Sequence, residues 1–366
     1  MNDLEQLLCV DLQREYSRIV GSGTIGLYLS LKALGLRGQS VAIPNNVCYN
    51  VPLAVILSGN SPLYVDIDFQ TLSLSPGSLR DHIEDISAVV AVHGYGNMCD
   101  IESIERICNN RGIPLIEDCC LAQGANSNGK PAGSFGDISI LSFGSSKIIE
   151  VGHGGAILTN DSLLQNQMVQ IENKLPSFSN LNSKTIRHLG LVFKNIYNSY
   201  YLGGLKEACT QFSKEMEKSK QAFLFRFSDQ YLERIHSEVK NIEKNLSIRR
   251  SNYCKVLNLL ESMEGEFIDI PRPLSESVIW RACFFAKERR NELFKFLLDK
   301  GYRISSWYPS IDLFMREKEN SIRESTPNSD WISDHIINVS ISDKINDSYL
   351  NSIACDIICF YDRALT

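Results

Sequence analysis

The chain has 366 residues and a formal net charge of −6, with 43% apolar and 22% charged residues. That length suits about two domains, each able to bury a sizeable core, and the acidic balance argues against a nucleic-acid surface. No uninterrupted apolar run reaches the roughly 20 residues of a membrane span, and the N-terminus lacks the charged-then-apolar layout of a signal peptide.

The leucines of MNDLEQLLCVDLQREY recur at helical spacing and predict an amphipathic opening helix. A short apolar run then leads into Gly21-Ser22-Gly23-Thr24 and the helical pattern IGLYLSLKALGL. Glycine and hydroxyl residues at a helix N-terminus leave backbone N–H groups free to bind an anion; an ordinary helix cap uses the same residues. Short strands then alternate with helices through SVAIPNN, NVPLAVILSG, PLYVDID, ISAVVAVHGYG, DIESIERICNNRG and IPLIEDCC. Apolar runs between amphipathic helices imply a mostly parallel sheet covered on both faces. Ligands of such sheets sit beyond the carboxyl ends of the strands. Ser22 to Thr24, Asn45 to Tyr49, His93, Asp118 and Ser142 to Lys147 all fall there.

Two charged residues stand out. Asp118 ends the apolar strand PLIED, where a carboxylate is largely buried and usually has a cationic partner. It reads either as a cap for the next turn or as the partner of a protonated pyridine nitrogen. Lys147 follows the strand ISILSF and precedes the glycine-rich turn Gly152-His153-Gly154-Gly155. Either its ammonium snorkels to solvent, or it is an imine-forming amine, made nucleophilic by desolvation or a nearby cation. The 11 cysteines form no CxxC pair and have no zinc spacing, so no metal is expected. They read as reduced, buried small hydrophobes of a cytoplasmic protein.

Taken together, SGTIGLYLSLKALGL, VHGYG, IEDCCLAQGA, GKPAGSFGDISILSFGSSK, GHGGAILTND and the C-terminal WRACFFAKERRNELFKFLLDKGYRISSWYP and INVSISDKINDSYLNSI resemble the DegT/DnrJ/EryC1/StrS aminotransferases. The resemblance covers nearly the whole chain. It implies an α/β, fold-type-I transferase that uses pyridoxal 5'-phosphate. Residues 1–245 would form a large domain around a mostly parallel seven-stranded sheet, and 246–366 a smaller α+β domain. It further implies that Lys147 is the Schiff-base lysine and Asp118 the partner of the pyridine nitrogen. Ser142, with the backbone around Gly23 and Thr24, would cradle the phosphate. The implied reaction moves an amino group, by family habit from glutamate, to a keto sugar carried on a nucleotide, for surface polysaccharide or secondary-metabolite biosynthesis. A homodimer is implied as well.

The sequence departs from the family pattern at several points. The aromatic residue that usually covers the cofactor ring aligns with Cys48, so Cys48 or the adjacent Tyr49 is expected to take its place. The usual Gln or His three residues after the Asp is Leu121, with Gln123 two further on as a replacement to be tested. The usual glutamate before the Gly-Gly pair is His153. Leu224 stands where an Asn usually reaches the neighbouring subunit, and Arg226 follows it. Residues 165–224 form a long tyrosine-rich insert, read as extra helices covering the core, with an apolar binding surface for a substrate or partner as the alternative. Residues 228–264 read as one long helix crossing between domains. Ser306 to Pro309 match a loop near the substrate, and the polar segment 315–330 reads as solvated surface. A dehydratase-like relative and a catalytically degenerate binding protein remain as rival functions; a nicotinamide enzyme lacks its G-x-G-x-x-G turn.

Overall fold

The computed structural model describes residues 1–272, 277–315 and 324–362. Seven strands form one sheet in the order Tyr16–Val20, Gly155–Thr159, Ile138–Ser142, Leu115–Asp118, Ala88–Val92, Ser40–Pro44, Ser61–Val65. Six run in one direction; Gly155–Thr159 runs against both of its neighbours. A parallel return needs a crossover, usually helical. The link from Ser142 to Gly155 has none, so the chain doubles back beside the strand it has just left. Ala88–Val92, Ile138–Ser142 and Gly155–Thr159 are buried at every position, as expected for strands covered on both faces. The opening helix, Asp3–Asp11, begins with a reciprocal Asn2–Glu5 capping box.

A second sheet of four antiparallel strands, Ile268–Asp269, Ala282–Ala286, Ile336–Val339 and Ile304–Ser305, carries the helices Arg290–Asp299 and Asp347–Asp362. The architecture is that of a fold-type-I transferase. Residue 245, the expected boundary, lies inside the helix Ile242–Leu260.

The crossing segment is not one helix. Leu232–Lys240 ends at Asn241, whose side-chain amide donates to the Ser237 carbonyl at 2.8 Å, and a second helix runs Ile242–Leu260. The asparagine side chain competes locally for backbone groups, while the apolar positions on either side keep their phase. The period alone therefore could not reveal the break.

The insert forms two helices, Asn180–Tyr201 and Leu205–Ser219, packed on each other. They join the two parts of the chain in one aromatic cluster, in which Phe212 meets both Tyr49 and Phe314. Phe193 lies 4.0 Å from Tyr49 of the large sheet's helical layer, between ring centroids, and Phe212 lies 5.3 Å from Phe314 beside the small sheet. Tyr201 packs under the Arg290 guanidinium, 3.9 Å from its ring centre.

Two further expectations need correction. Of the polar segment 315–330, residues 316–323 lie outside the described residues, but its end is not solvated surface. Thr326 and Ser329 are buried, and Ser329 donates through its backbone N–H and its hydroxyl to Asp66 Oδ1. The buried Asp66 acts as a cap that the polar composition conceals. The cysteines form no disulfide among the described residues, yet they are not uniformly buried: Cys254, Cys355 and Cys359 are exposed on the outer faces of helices. No helix among the described residues is long and apolar enough to cross a membrane.

Candidate active site

At the carboxyl edge of the large sheet, four chain segments meet. The helix Gly23–Ala33 starts there, capped by Ser22, whose hydroxyl accepts from the Ile25 N–H at 3.2 Å. Gly23 has no room for a side chain. An ideal Cβ would stand 2.8 Å from Cys120 Sγ and 3.0 Å from Ser142 Cβ. The backbone at the helix start is therefore pressed against the end of the strand Ile138–Ser142. The Ser142 hydroxyl, at that strand end, accepts from the Gly144 N–H at 3.3 Å and keeps its own proton to donate. A helix start and a hydroxyl together suit an anion.

Lys147 lies in the loop that returns from Ser142 to Gly155. Three successive carbonyls fix it: Trp280 Nε1 donates to Ser146 O at 2.7 Å, Arg249 to Lys147 O at 3.4 Å, and Asn245 to Ile148 O at 3.0 Å. Burial pushes the Arg249 guanidinium down to about 10. The loop closes through the Phe143 N–H on Gly154 O and the Gly152 N–H on Phe143 O, both 2.9 Å. Gly154 holds φ +94 there, a conformation that suits glycine. The backbone around Lys147 is pinned while its amine makes no ion pair among the described residues.

Asp118 is buried at the end of Leu115–Asp118, and its Oδ1 accepts from the Cys120 N–H at 2.9 Å. No cation pairs with it among the described residues. Two thiols report how Asp118 and Lys147 are placed. Burial pushes the Cys48 thiol up; the Lys147 charge opposes that shift and the Asp118 charge adds to it. Burial likewise raises Cys120 well above the ordinary thiol range, with Asp118 adding and Lys147 opposing. One amine from the loop and one carboxylate from a strand end thus act on the buried Cys120 and the half-buried Cys48.

Cys48 and Tyr49 part company. The Cys48 thiol feels the charges of Lys147 and Asp118, whereas Tyr49 turns into the core against Phe193, Phe212 and Phe223 of the insert. Tyr49 therefore does not border the site, and the apolar pocket supplied by the insert is the reason. Gln123 is 4% exposed, and neither atom of its amide finds a partner. His93 also sits at a strand end but belongs elsewhere. Its Nε2 bonds Glu117 Oε1 at 2.9 Å, and its Nδ1 accepts from the Cys99 N–H at 3.2 Å. Glu117 in turn accepts from the Gly133 and Phe135 N–H groups, both at 2.8 Å. His93, Glu117 and Cys119 come close enough to hold a metal ion, but the histidine and carboxylate are occupied by these bonds and serve the fold. Arg226 is exposed and donates to Ser177 Oγ at 2.7 Å.

His153 lies in an aromatic cage that the sequence did not announce. Its ring is 4.3 Å from Phe178 and 4.4 Å from Tyr231, with Phe225 and Phe227 beyond. Its Nε2 is buried without a partner, and burial pushes the imidazole down to about 4. The unfolded chain takes up that proton near pH 6.5, whereas the folded chain resists until about pH 4. Folded stability from this site is intact above the upper value, falls as pH drops through the window and levels off below the lower one. His153→Phe should remove that dependence. Urea midpoints of wild type and variant should diverge in favour of the variant between about pH 7 and about pH 5; parallel curves would show that the imidazole is not held neutral.

The sequence profile of the DegT/DnrJ/EryC1/StrS aminotransferase family matches residues 1–357. The chain belongs to this family. Among curated proteins it is similar to the GDP-perosamine synthase of Vibrio cholerae, 33% identical over 165 residues, which is 44% of this chain and 45% of that protein. The chain thus aligns over less than half the length of the curated relatives it matches. Among solved structures, the aminotransferase TlmJ from Streptoalloteichus hindustanus superposes with a TM-score of 0.79 at 18% identity, covering 99% of this chain and 91% of that one. The E. coli GDP-4-keto-6-deoxy-D-mannose-3-dehydratase, solved with hydrated PLP, gives 0.70 at 19% identity, covering 96% and 90%. Membership of the DegT/DnrJ/EryC1/StrS family accounts for the fold.

Proposed function

We propose that this chain is a pyridoxal-phosphate aminotransferase that moves the amino group of glutamate onto a keto sugar carried on a nucleotide. The observation that carries this reading is the meeting of Gly23, Ser142, Cys120 and the buried Asp118, which has no cation of its own among the described residues, at neighbouring strand ends beside the loop that holds Lys147. The residues present fit the cofactor. The Gly23 N-terminus and Ser142 suit its phosphate, and the buried carboxylate of Asp118, with no cation of its own, suits a protonated ring nitrogen. The orphaned Gln123 amide suits the ring hydroxyl. Cys48 takes the position of a ring-covering aromatic.

When bound, pyridoxal phosphate supplies an electron sink conjugated to the donor's nitrogen. The protein does the rest. The helix start around Gly23 and Thr24 and the Ser142 hydroxyl would hold the phosphate, with the helix dipole favouring its charge. Asp118 keeps the ring nitrogen protonated by its negative charge. Lys147 would be the residue that holds the group's aldehyde carbon, and its free amine would carry a proton off the donor's Cα and return it, as base and then acid. The pinned loop keeps that amine within reach of both ends of the transfer.

The test is direct. Protein reconstituted with pyridoxal phosphate is reduced with borohydride and its peptides are weighed; the expected result is cofactor fixed on Lys147. The same protein, given L-glutamate and the 4-keto precursor of GDP-perosamine, should yield an amino sugar and 2-oxoglutarate. Cofactor on no lysine, or a keto sugar dehydrated without amine transfer, would redirect the assignment to a binding protein or a dehydratase.

We also infer a homodimer. Leu181 and Leu191 of the insert and Leu163 on the helix Ser162–Glu172 leave large apolar side chains exposed, at 73%, 58% and 71%. Apolar side chains held out in this way are the kind that a second copy covers. Light scattering at low micromolar protein should return twice the chain mass; a clean monomer would refute the inference.

A further inference from the structure

A cleft of about 540 Å³ opens where the end of the insert helix Asn180–Tyr201 meets the strand Ala282–Ala286 and the helix Arg290–Asp299. That volume is within the usual range of small-molecule sites. None of Gly23, Cys48, Asp118, Gln123, Ser142 and Lys147 lines it. Tyr200, Tyr201 and Ala286 give it apolar surface, and Arg290, Asp334 and His335 bring polar groups. Its walls are held without a ligand: the Tyr201 hydroxyl donates to Ser306 O at 2.5 Å, and the Arg290 guanidinium lies 3.9 Å from the Tyr201 ring centre.

The charges of the cleft do not cancel by pairing. Arg290 is 5% exposed and makes no ion pair among the described residues. A guanidinium has five N–H donors. Nε and one Nη2 hydrogen go to the Ile336 carbonyl, the other Nη2 hydrogen to Ser306 Oγ, and one Nη1 hydrogen to Asn291 Oδ1 at 2.8 Å. One Nη1 hydrogen is left over, on a buried charge with no counterion, which is a costly arrangement. The exposed carboxylates of Asp334 and Glu288 likewise make no ion pair among the described residues. Lys287 and Arg289 also line the cleft but are taken, by Asp269 at 3.2 Å and Glu292 at 2.7 Å. His335 Nδ1 lies 2.6 Å from the Trp331 carbonyl. A carbonyl only accepts, so Nδ1 carries the hydrogen and Nε2 of the neutral ring is an open acceptor. An anion alone would meet free carboxylates, and a cation alone would leave Arg290 unmet. A small ligand with one charge of each sign answers both.

We propose that this cleft is a binding site for a free α-amino acid with an apolar side chain. The ligand's carboxylate takes the spare Nη1 hydrogen of Arg290, its ammonium lies at Asp334 and His335 Nε2, and its side chain packs on Tyr200 and Ala286. The site is separate from the one proposed above for the cofactor and donor.

The probe is L-phenylalanine, titrated by calorimetry into protein loaded with pyridoxal phosphate and reduced with borohydride, so that the cofactor can no longer take up an amino acid. Saturable binding of one probe per chain is expected, half-complete at about 0.1–10 mM. N-acetyl-L-phenylalanine lacks the ammonium and L-phenylalanine amide lacks the carboxylate; each should bind about tenfold more weakly or worse. Asp334→Asn changes an exposed side chain that holds no partner in the fold, so the variant should melt as wild type does and bind the probe about tenfold more weakly. No saturable heat in wild type overturns the proposal. So does equal binding of either analogue, or an Asp334→Asn protein that binds as tightly as wild type. Failure of the function proposed above shows differently, as cofactor that borohydride does not fix on Lys147, and the same titration then still reads the cleft.

Discussion

Lys147→Ala should leave a folded protein that binds pyridoxal phosphate only reversibly and transfers no measurable amino group. The loop that carries Lys147 is fixed by its own backbone carbonyls on Trp280, Arg249 and Asn245, so truncating the side chain takes away nothing that holds the loop. What is lost is an amine serving as covalent anchor and as proton carrier. Proton transfer by a positioned group alone contributes roughly 10²–10⁴ in rate, and the covalent role adds to it, so turnover should fall by at least about 10³-fold. Absorbance of the cofactor after dialysis checks the first part, and glutamate-dependent transfer checks the second. Retained turnover near wild type would remove Lys147 from the chemistry.

Asp118→Asn should give the next largest loss. The two side chains are nearly isosteric, and the amide oxygen can still accept from the Cys120 N–H, so folding survives. The amide cannot supply the negative charge that holds a proton on the ring nitrogen. Removing one member of a buried charge pair costs roughly 3–5 kcal/mol, which corresponds to about 10²–10³-fold or somewhat more in rate if it falls wholly on the transition state. Cofactor affinity should fall as well. A thermal melt of the cofactor-free variant near wild type, beside collapsed transfer, is the expected pair of results. Full activity would make Asp118 a structural carboxylate.

Asp118 stood out because burying a charge needs a reason, and the half-buried Lys147 stood out by its place between two turns. A lysine between two tight turns and an aspartate closing an apolar strand each demanded a partner or a task, and strand ends of a parallel sheet are where ligands bind. Gly23 and Ser142 followed from the same topology. What was not legible depended on distant packing. Cys48 and Tyr49 are adjacent, and the packing of Tyr49 against Phe193 and Phe212, far along the chain, could not be read from their spacing. Tyr201 could be recognised as part of a covering helix, since periodicity reports burial. Whether a buried hydroxyl finds a partner is not periodic information. The break at Asn241 left the apolar phase undisturbed, and the Asp66 cap under Ser329 joins segments more than 260 residues apart. The cage around His153 is assembled from Phe178, Phe225, Phe227 and Tyr231, none of which lies within its own turn.

The insert also sets a schedule for the chain as it is made. Tyr201 is 105 residues ahead of Ser306, which its hydroxyl holds, and Phe212 meets Phe314 across a similar span. At a synthesis rate of about 5–20 residues per second, the insert waits roughly 5–20 s for those partners to emerge. Through that interval only Tyr49 and the early helical layer are available to its aromatic face. The large sheet can form as its last strand, Gly155–Thr159, leaves the ribosome, but the helices that follow stay half-covered until the small sheet arrives. For those seconds the nascent chain displays Tyr197, Tyr201 and Phe212 together, a surface suited to capture by chaperones and vulnerable to wrong pairing between chains. Substitutions in the late segment around Phe314 should therefore be felt first in the yield of folded protein, before any loss is seen in the protein that has folded.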